Sequence, residues 1–513
     1  MDAVKSIALV DDWSTLQATV AAAFVTYVLY SYISWDERSW WVQREKAPFL
    51  HVASNANWKK ELIHGHVVPG WEAVEEEFIE NFRRRGELGA AVCIYYRGKK
   101  VVDLWGGYKQ AKGRTCQKWE RDTLVNVFST TKGISALAVA LQHSRGKIDY
   151  DAPVSRYWPE FAQHGKEEVT VRELLSHKVG VAGPSPPIDL DTLEDVEATN
   201  AFLAKAQPEW STGDKAGYMA VLLGNYASTL IQKTTSDTLT MGQFVGEEIC
   251  RPLGIGDELY IGLPKCFPER RIAKIDSKVG LELLKGGCFP PGFLKKLILD
   301  SKSYVARSLN NPRLAKGFET SIMNYNKKRV REVELPGANG HATARALAKV
   351  YSAAERAINS MDDNPLGFSK ETMDELQKPA QPNRLTKWYD EVLLFECPLA
   401  LGFTKTRIDD EDKSRFVNFG SDSRAFGTGG AGGSFAFCDP HSGLSFAYIM
   451  NRGGDCIFDD PREFALRTKA YACAQNLRNA SNEEPLPMDR LTTPHYLVAD
   501  LMKKYPFLAP LQS

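Results

Sequence analysis

Two Ser-x-x-Lys tetrads occur in the 513 residues, Ser129 to Lys132 and Ser144 to Lys147. A serine hydroxyl becomes a nucleophile when a base within hydrogen-bond reach takes its proton, and a lysine three positions along a helix projects from the same face. The two tetrads differ in setting. Ser144-Arg-Gly-Lys147 lies in a turn before Asp-Tyr-Asp-Ala-Pro, whereas Ser129-Thr-Thr-Lys132 follows the apolar VNVF and opens the helical run GISALAVALQH. Only the first places its serine in an opening helical turn, beside the positive end of the helix dipole. Alone, the same spacing equally describes an N-cap serine followed by a surface lysine.

Other hydrolytic plans leave no trace. The G-x-S-x-G of an α/β-hydrolase is missing, and so is the H-x-H-x-D-H cluster of a metallo-β-lactamase; His64-Gly-His66 has no Asp-His pair after it and reads as a surface turn. A formal G-x-G-x-x-G at Gly427, Gly429 and Gly432 is followed by strand-like rather than helical sequence, so the dinucleotide reading lacks its required context. The nine cysteines stand singly, with no C-x-x-C pair and no Cys/His zinc spacing. No metal or organic cofactor is expected. Lys plus Arg and Asp plus Glu both number 64, so no excess positive field is present to hold nucleic acid. Arg83 to Arg85 follow a Glu-rich run and read as a solvated helix face.

The elements around these residues divide the chain. After a tail over 1–12, residues 13–35 carry no charge and are apolar or aromatic almost throughout, which predicts a single-pass membrane anchor. Acids before the run and Tyr-Ile-Ser-Trp at its exit disfavour a cleaved signal peptide. Lys5 precedes the run and Arg38, Arg44 and Lys46 follow it, a slight lean toward a cytosolic C-terminal domain, while Asn479 opens an N-x-S sequon that leaves a lumenal site open. Residues 36–60 read as a linker, 61–480 as the catalytic domain and 481–513 as a C-terminal tail.

Within the domain, AAVCIYYRGKKVVDLWGG reads as a β-hairpin and residues 433–451 as strand, turn and strand. Between them helical periodicity dominates, at Ile134 to His143, Val171 to Ser176, Tyr218 to Gln232 and Thr343 to Ala357. Strands near both ends with helices between them predict an α+β fold.

Three boxes of sequence resemble the serine β-lactamase and penicillin-binding-protein superfamily, especially its class C-like esterase branch, over roughly residues 70–475. The first is VFSTTKGISALAVALQHSRGKIDYDAPVSRYWPEF running into VTVRELLSHKVGV; the second is WSTGDKAGYMAVLLGNYASTLI; the third is FGTGGAGGSFAFCDPHSGLSFAYIMNR. The resemblance implies a β-lactamase/transpeptidase-like architecture, an antiparallel sheet flanked by helices beside a mainly helical lobe, with the cleft between them. It also implies that Ser129 is the nucleophile, that Lys132 and Tyr218 exchange its proton, and that Thr428, Gly429 and Gly430 occupy the substrate-bordering strand. The amides of Ser129 and Ala431 then form an oxyanion hole. A cationic Lys132 beside Tyr218 is expected to favour the phenolate or a strongly polarised hydroxyl.

Thr428 departs from the family, which usually has a lysine or histidine there to grip a substrate carboxylate, and this weakens the expectation of β-lactam hydrolysis more than that of ester hydrolysis. In ELPGANGHATARALAKVYSAA, His341 is a candidate cleft residue with a structural role as its alternative, and His177 reads as a packing or capping residue. The expected substrate is a small-molecule or peptide carbonyl compound, an ester or amide by preference. The rival expectation is a catalytically silent scaffold of the same fold, membrane-tethered or filament-forming.

Overall fold

In the computed structural model the described residues are 62–511, except 113–114, 236–238, 277–287, 315–320, 409–411, 414, 416–417 and 455. The expected anchor at 13–35 and linker at 36–60 lie outside them. Among the described residues no helix is long and apolar enough to cross a membrane.

Twelve strands are present among the described residues: β1 (Ile63–Val67), β2 (Gly89–Tyr96), β3 (Lys99–Lys112), β4 (Thr115–Lys118), β5 (Val125–Asn126), β6 (Leu259–Ile261), β7 (Gly340–Ala342), β8 (Leu399–Ala400), β9 (Phe403–Lys405), β10 (Phe426–Gly429), β11 (Phe435–Asp439) and β12 (Leu444–Met450). Nine form an antiparallel sheet in the order β1-β3-β2-β12-β11-β10-β9-β8, with β4 added on β3. The remaining three make a small sheet, β5-β7-β6. The β2–β3 hairpin turns at Arg97 and Gly98, both with positive φ, the backbone that matches the right-handed twist of the paired strands.

The large sheet is apolar on both faces because a helix covers each. Helices used below are α1 (Glu72–Arg84), α2 (Thr130–Ser144), α3 (Leu223–Thr234), α4 (Tyr304–Leu309), α5 (Ala344–Asn359), α6 (Pro461–Ala480) and α7 (Tyr496–Lys504). Alternate side chains of a strand face opposite ways: Ala436 and Cys438 join the main core with Tyr351 and Ala354 of α5, while Phe437 stacks on Tyr471 of α6. Helices dominate between β5 and β7. The fold is thus α+β, with the antiparallel sheet and the helical region the sequence predicts.

Three local readings need correction. His64 and His66 sit on β1, an edge strand paired in register with β3, not in a turn; both are exposed, as edge positions are. The helix expected from Tyr218 starts instead at Leu223, because tertiary hydrogen bonds hold residues 218–222 in a loop. Residues after 480 do not trail away: Val498 and Met502 of α7 pack on Phe464 of α6, and Arg85 donates to the carbonyls of Leu508 and Ala509 at 2.9 and 2.7 Å.

Candidate active site

Ser129 sits where β5 gives way to α2. Val127 donates to Gly340 O at 2.8 Å, and Phe128 then takes φ +48°, a conformation costly for an aromatic residue, with its ring held edge-on against Tyr325 at 5.2 Å. This reversal puts Ser129, half-buried, at the mouth of a helix whose residues from Thr130 to Gln142 are all buried. The next three amides are used by Val127 O, Phe128 O and Ser129 O, whereas no hydrogen bond of the Ser129 N–H exists among the described residues.

Lys132 lies one turn on and is only 2% exposed. Its Nζ meets three oxygens: Ser129 Oγ at 3.1 Å, Gly337 O at 2.8 Å and Ala220 O in a short bond. No carboxylate joins them, and burial pushes the amine down to about 7. A neutral amine has two N–H donors and one lone pair. In the neutral form two N–H groups serve the two carbonyls and the lone pair faces the serine hydroxyl; in the ammonium form all three oxygens accept from Nζ. Close approach of the start of α3 to the segment before β7 brings those carbonyls together: a Cβ on Gly224 would lie 2.0 Å from Gly337 N, and one on Gly337 would lie 2.1 Å from Val221 O.

Tyr218 lies across the site, with Lys132 Nζ 4.8 Å from its ring centroid. Its loop is fixed at successive backbone groups. Tyr218 N donates to Asp390 Oδ1 at 3.2 Å, Met219 N to His177 Nδ1 at 2.9 Å and Ala220 N to Ser308 Oγ at 3.0 Å; the Ser308 hydroxyl donates in turn to Tyr218 O at 2.6 Å. The His177 ring lies against the phenol, 4.8 Å between centroids. Burial pushes His177 well below its ordinary pKa, with Lys132 adding to this in its charged form, so it stays a neutral acceptor. Burial also raises Tyr218, a Ser129 contact opposing this more weakly. Burial thus acts against the phenolate, one of the two forms expected of Tyr218, and lowers Lys132 toward its neutral form.

The β10–β11 hairpin closes the other side. Ser434 Oγ donates to Val127 O at 2.8 Å and lies 3.1 Å from Thr130 Oγ1, which pins the hairpin tip to the residues around Ser129. The turn from Gly430 to Gly433 uses the amides of Gly430 and Gly433, while Ala431 at its exposed tip makes no such bond among the described residues. Thr428 is buried, and its hydroxyl faces α2: a Cβ on Gly133 would lie 2.6 Å from Thr428 Oγ1 and 2.0 Å from Tyr351 Oη. Gly429 and Gly430 line a small cleft with Ile457 and Phe458, and Phe458 and Tyr218 both pack on the cluster of Leu393, Phe395, Cys397 and Leu399.

Other candidates fall outside this constellation. His341 is buried in β7, with Nδ1 2.8 Å from Asn339 O and burial pushing it down to about 3; no contact with Ser129, Lys132 or Tyr218 occurs among the described residues. The Ser144 hydroxyl donates back to Ala140 O at 3.0 Å. Tyr226 is buried and donates to Leu203 O at 3.2 Å. Sequence reasoning missed Asp390, Ser308 and the two carbonyls on Lys132, and gave His177 only a packing role. Only His177, inside the LLSHKVG run, sits in a box that drew notice.

A two-sided sheet with a Ser-x-x-Lys helix opening onto a tyrosine loop and a glycine-rich strand is the arrangement of a serine hydrolase. A sequence model of the β-lactamase family matches residues 72–467, and the chain belongs to that family. It is 30% identical over 396 residues to the esterase/β-lactamase LipL of Mycobacterium tuberculosis, covering 76% of this chain and 83% of LipL. Among solved structures it resembles a family VIII carboxylesterase, with TM-score 0.66 and 32% identity over 80% of this chain and 99% of that one. A penicillin-binding-protein homologue from Caulobacter crescentus gives TM-score 0.64 and 33% identity, again over 80% and 99%. The protein is a serine hydrolase of the β-lactamase-like kind.

Proposed function

We propose that the protein hydrolyses a carboxylic ester, or an amide, through an acyl-enzyme on Ser129. Neutral Lys132 takes the hydroxyl proton as Ser129 Oγ attacks the carbonyl carbon. The Tyr218 phenol gives its proton to the leaving group and regains one from Lys132. Water then attacks the acyl-enzyme by the reverse proton route and releases the acid. The amides of Ser129 and Ala431 hold the oxyanion. The observation that carries this reading is the Lys132 amine itself, buried, with two carbonyl oxygens and a serine hydroxyl at 3.1 Å as its hydrogen-bond partners and no carboxylate among them.

An ester is preferred over a β-lactam because Thr428 turns its hydroxyl toward Gly133 and offers no cation to a substrate carboxylate. The name of the family VIII carboxylesterase agrees with this preference, while that of LipL carries both activities. The run at 13–35 anchors the enzyme to a lipid bilayer in this reading, and protease protection in sealed membranes reports its topology. Purified protein exposed to an activated ester should gain one acyl mass on Ser129, and Ser129→Ala should gain none. Absence of any acyl adduct across several activated esters supports the silent-scaffold alternative and overturns the enzyme mechanism.

A further inference from the structure

We propose that Asp390 is a positioning residue for the reaction, acting through the backbone of Tyr218 to hold the phenol against Ser129. The proposal rests on the reading of Tyr218 as the proton donor. Asp390 lies 172 positions from Tyr218 and is fully buried. Its Oδ1 accepts three amides at once, from Tyr218 at 3.2 Å and from Val392 and Leu393 at 2.9 Å each. The turn it heads is itself closed, with Asp390 N donating to Phe395 O and Leu394 N to Asp390 O, and Glu391 N joins it to Ala216 O. One carboxylate oxygen therefore locks a rigid turn to the loop that carries the phenol.

The second oxygen distinguishes this from ordinary packing. Asp390 Oδ2 is buried and has no hydrogen-bond partner among the described residues. A buried acceptor left in that state costs stability, and a neutral side chain with one carbonyl oxygen would serve the three amides equally well. Burial raises the Asp390 carboxyl itself to about 6, the amide bonds opposing this more weakly; when ionised it adds to burial in keeping the proton on the Tyr218 phenol, the form that can protonate a leaving group. Misplacing a reacting group by about 1 Å costs on the order of 10²-fold in rate, so a tether of this kind is felt in kcat.

A double-mutant cycle tests this on the purified full-length protein with a p-nitrophenyl ester. Asp390→Ala should lower kcat about 100-fold with KM within about threefold, and should cost under about threefold when Tyr218 is already phenylalanine. Asp390→Asn, which keeps the oxygen acceptor, should restore kcat to within about fivefold of the parent. Equal losses from Asp390→Ala in both backgrounds, or a change in KM alone, overturn the proposal, as does full activity of Asp390→Ala. If Asp390→Ala does not fold, Asp390→Ser takes its place in the same cycle. A Tyr218→Phe variant with full activity instead overturns the assigned role of Tyr218, a separate failure.

Discussion

Two regions of this molecule bury positive charge and reach opposite ends. Around Lys132 the neighbours are two carbonyls and a hydroxyl, so burial goes unopposed and the amine falls to about 7. At the start of α6, Arg462 and Arg467 are as deeply buried, and burial is again the largest single influence, but Asp460 and Glu87 face the first and Glu463 and Asp459 the second. Those carboxylates overturn the burial effect and both guanidiniums stay charged. Lys405 on β9 sharpens the lesson: it too is buried, bonds to the carbonyls of Leu376 and Arg424, and falls to about 7, yet among the described residues its amine bonds to no hydroxyl. A lowered lysine becomes a base only where geometry gives its lone pair a proton to take.

The contrast breaks most visibly at the nucleophile. Ser129→Ala and Lys132→Met should each reduce ester hydrolysis by about 10³-fold or more, with the fluorophosphonate label lost in the first. Lys132→Met removes the donor that Ala220 O and Gly337 O share and should cost about 1–3 kcal/mol in urea titration. Arg467→Ala should cost more, about 3–5 kcal/mol by the same measurement, since it strands two buried carboxylates. Gly133→Ala, whose new methyl would meet Tyr351 Oη and Thr428 Oγ1, should cost about 1–3 kcal/mol by the same measurement. The smallest effect is expected of Lys405→Met, which should leave the kcat–pH profile in place. Should that profile shift with Lys405→Met and stay fixed in a weakly active Lys132 variant, the two lysines have been assigned the wrong way round.

How much of this was legible in the sequence follows from how local each interaction is. Ser129 and Lys132 are three positions apart, so helical geometry alone pairs them. Tyr218 became visible only through the resemblance of its surrounding box. Its loop was misread as helix because periodicity is a local signal, whereas the bonds that hold residues 218–220 out of α3 come from His177, Ser308 and Asp390, 42 or more positions away. The carbonyls of Ala220 and Gly337 carry no side-chain signature, and their convergence on Lys132 depends on the Gly224–Gly337 approach. Charge states were invisible for the same reason. The resemblance placed a lysine beside a tyrosine and implied a phenolate or a strongly polarised hydroxyl, while burial acts against both charged forms. The hairpin at β2–β3 and the strands β11 and β12 were legible because alternation and turn residues are themselves local.

The neutrality of Lys132 is the claim on which the mechanism stands, and the pH dependence of Ser129 acylation tests it most directly. With a fluorophosphonate in excess, the labelling rate should fall about tenfold per pH unit below the amine's titration, since only the unprotonated amine is a base. It should level off above a midpoint of about 7. A rate that is flat between about pH 5 and 9, or one still climbing toward the ordinary lysine value of about 10.4, contradicts the account.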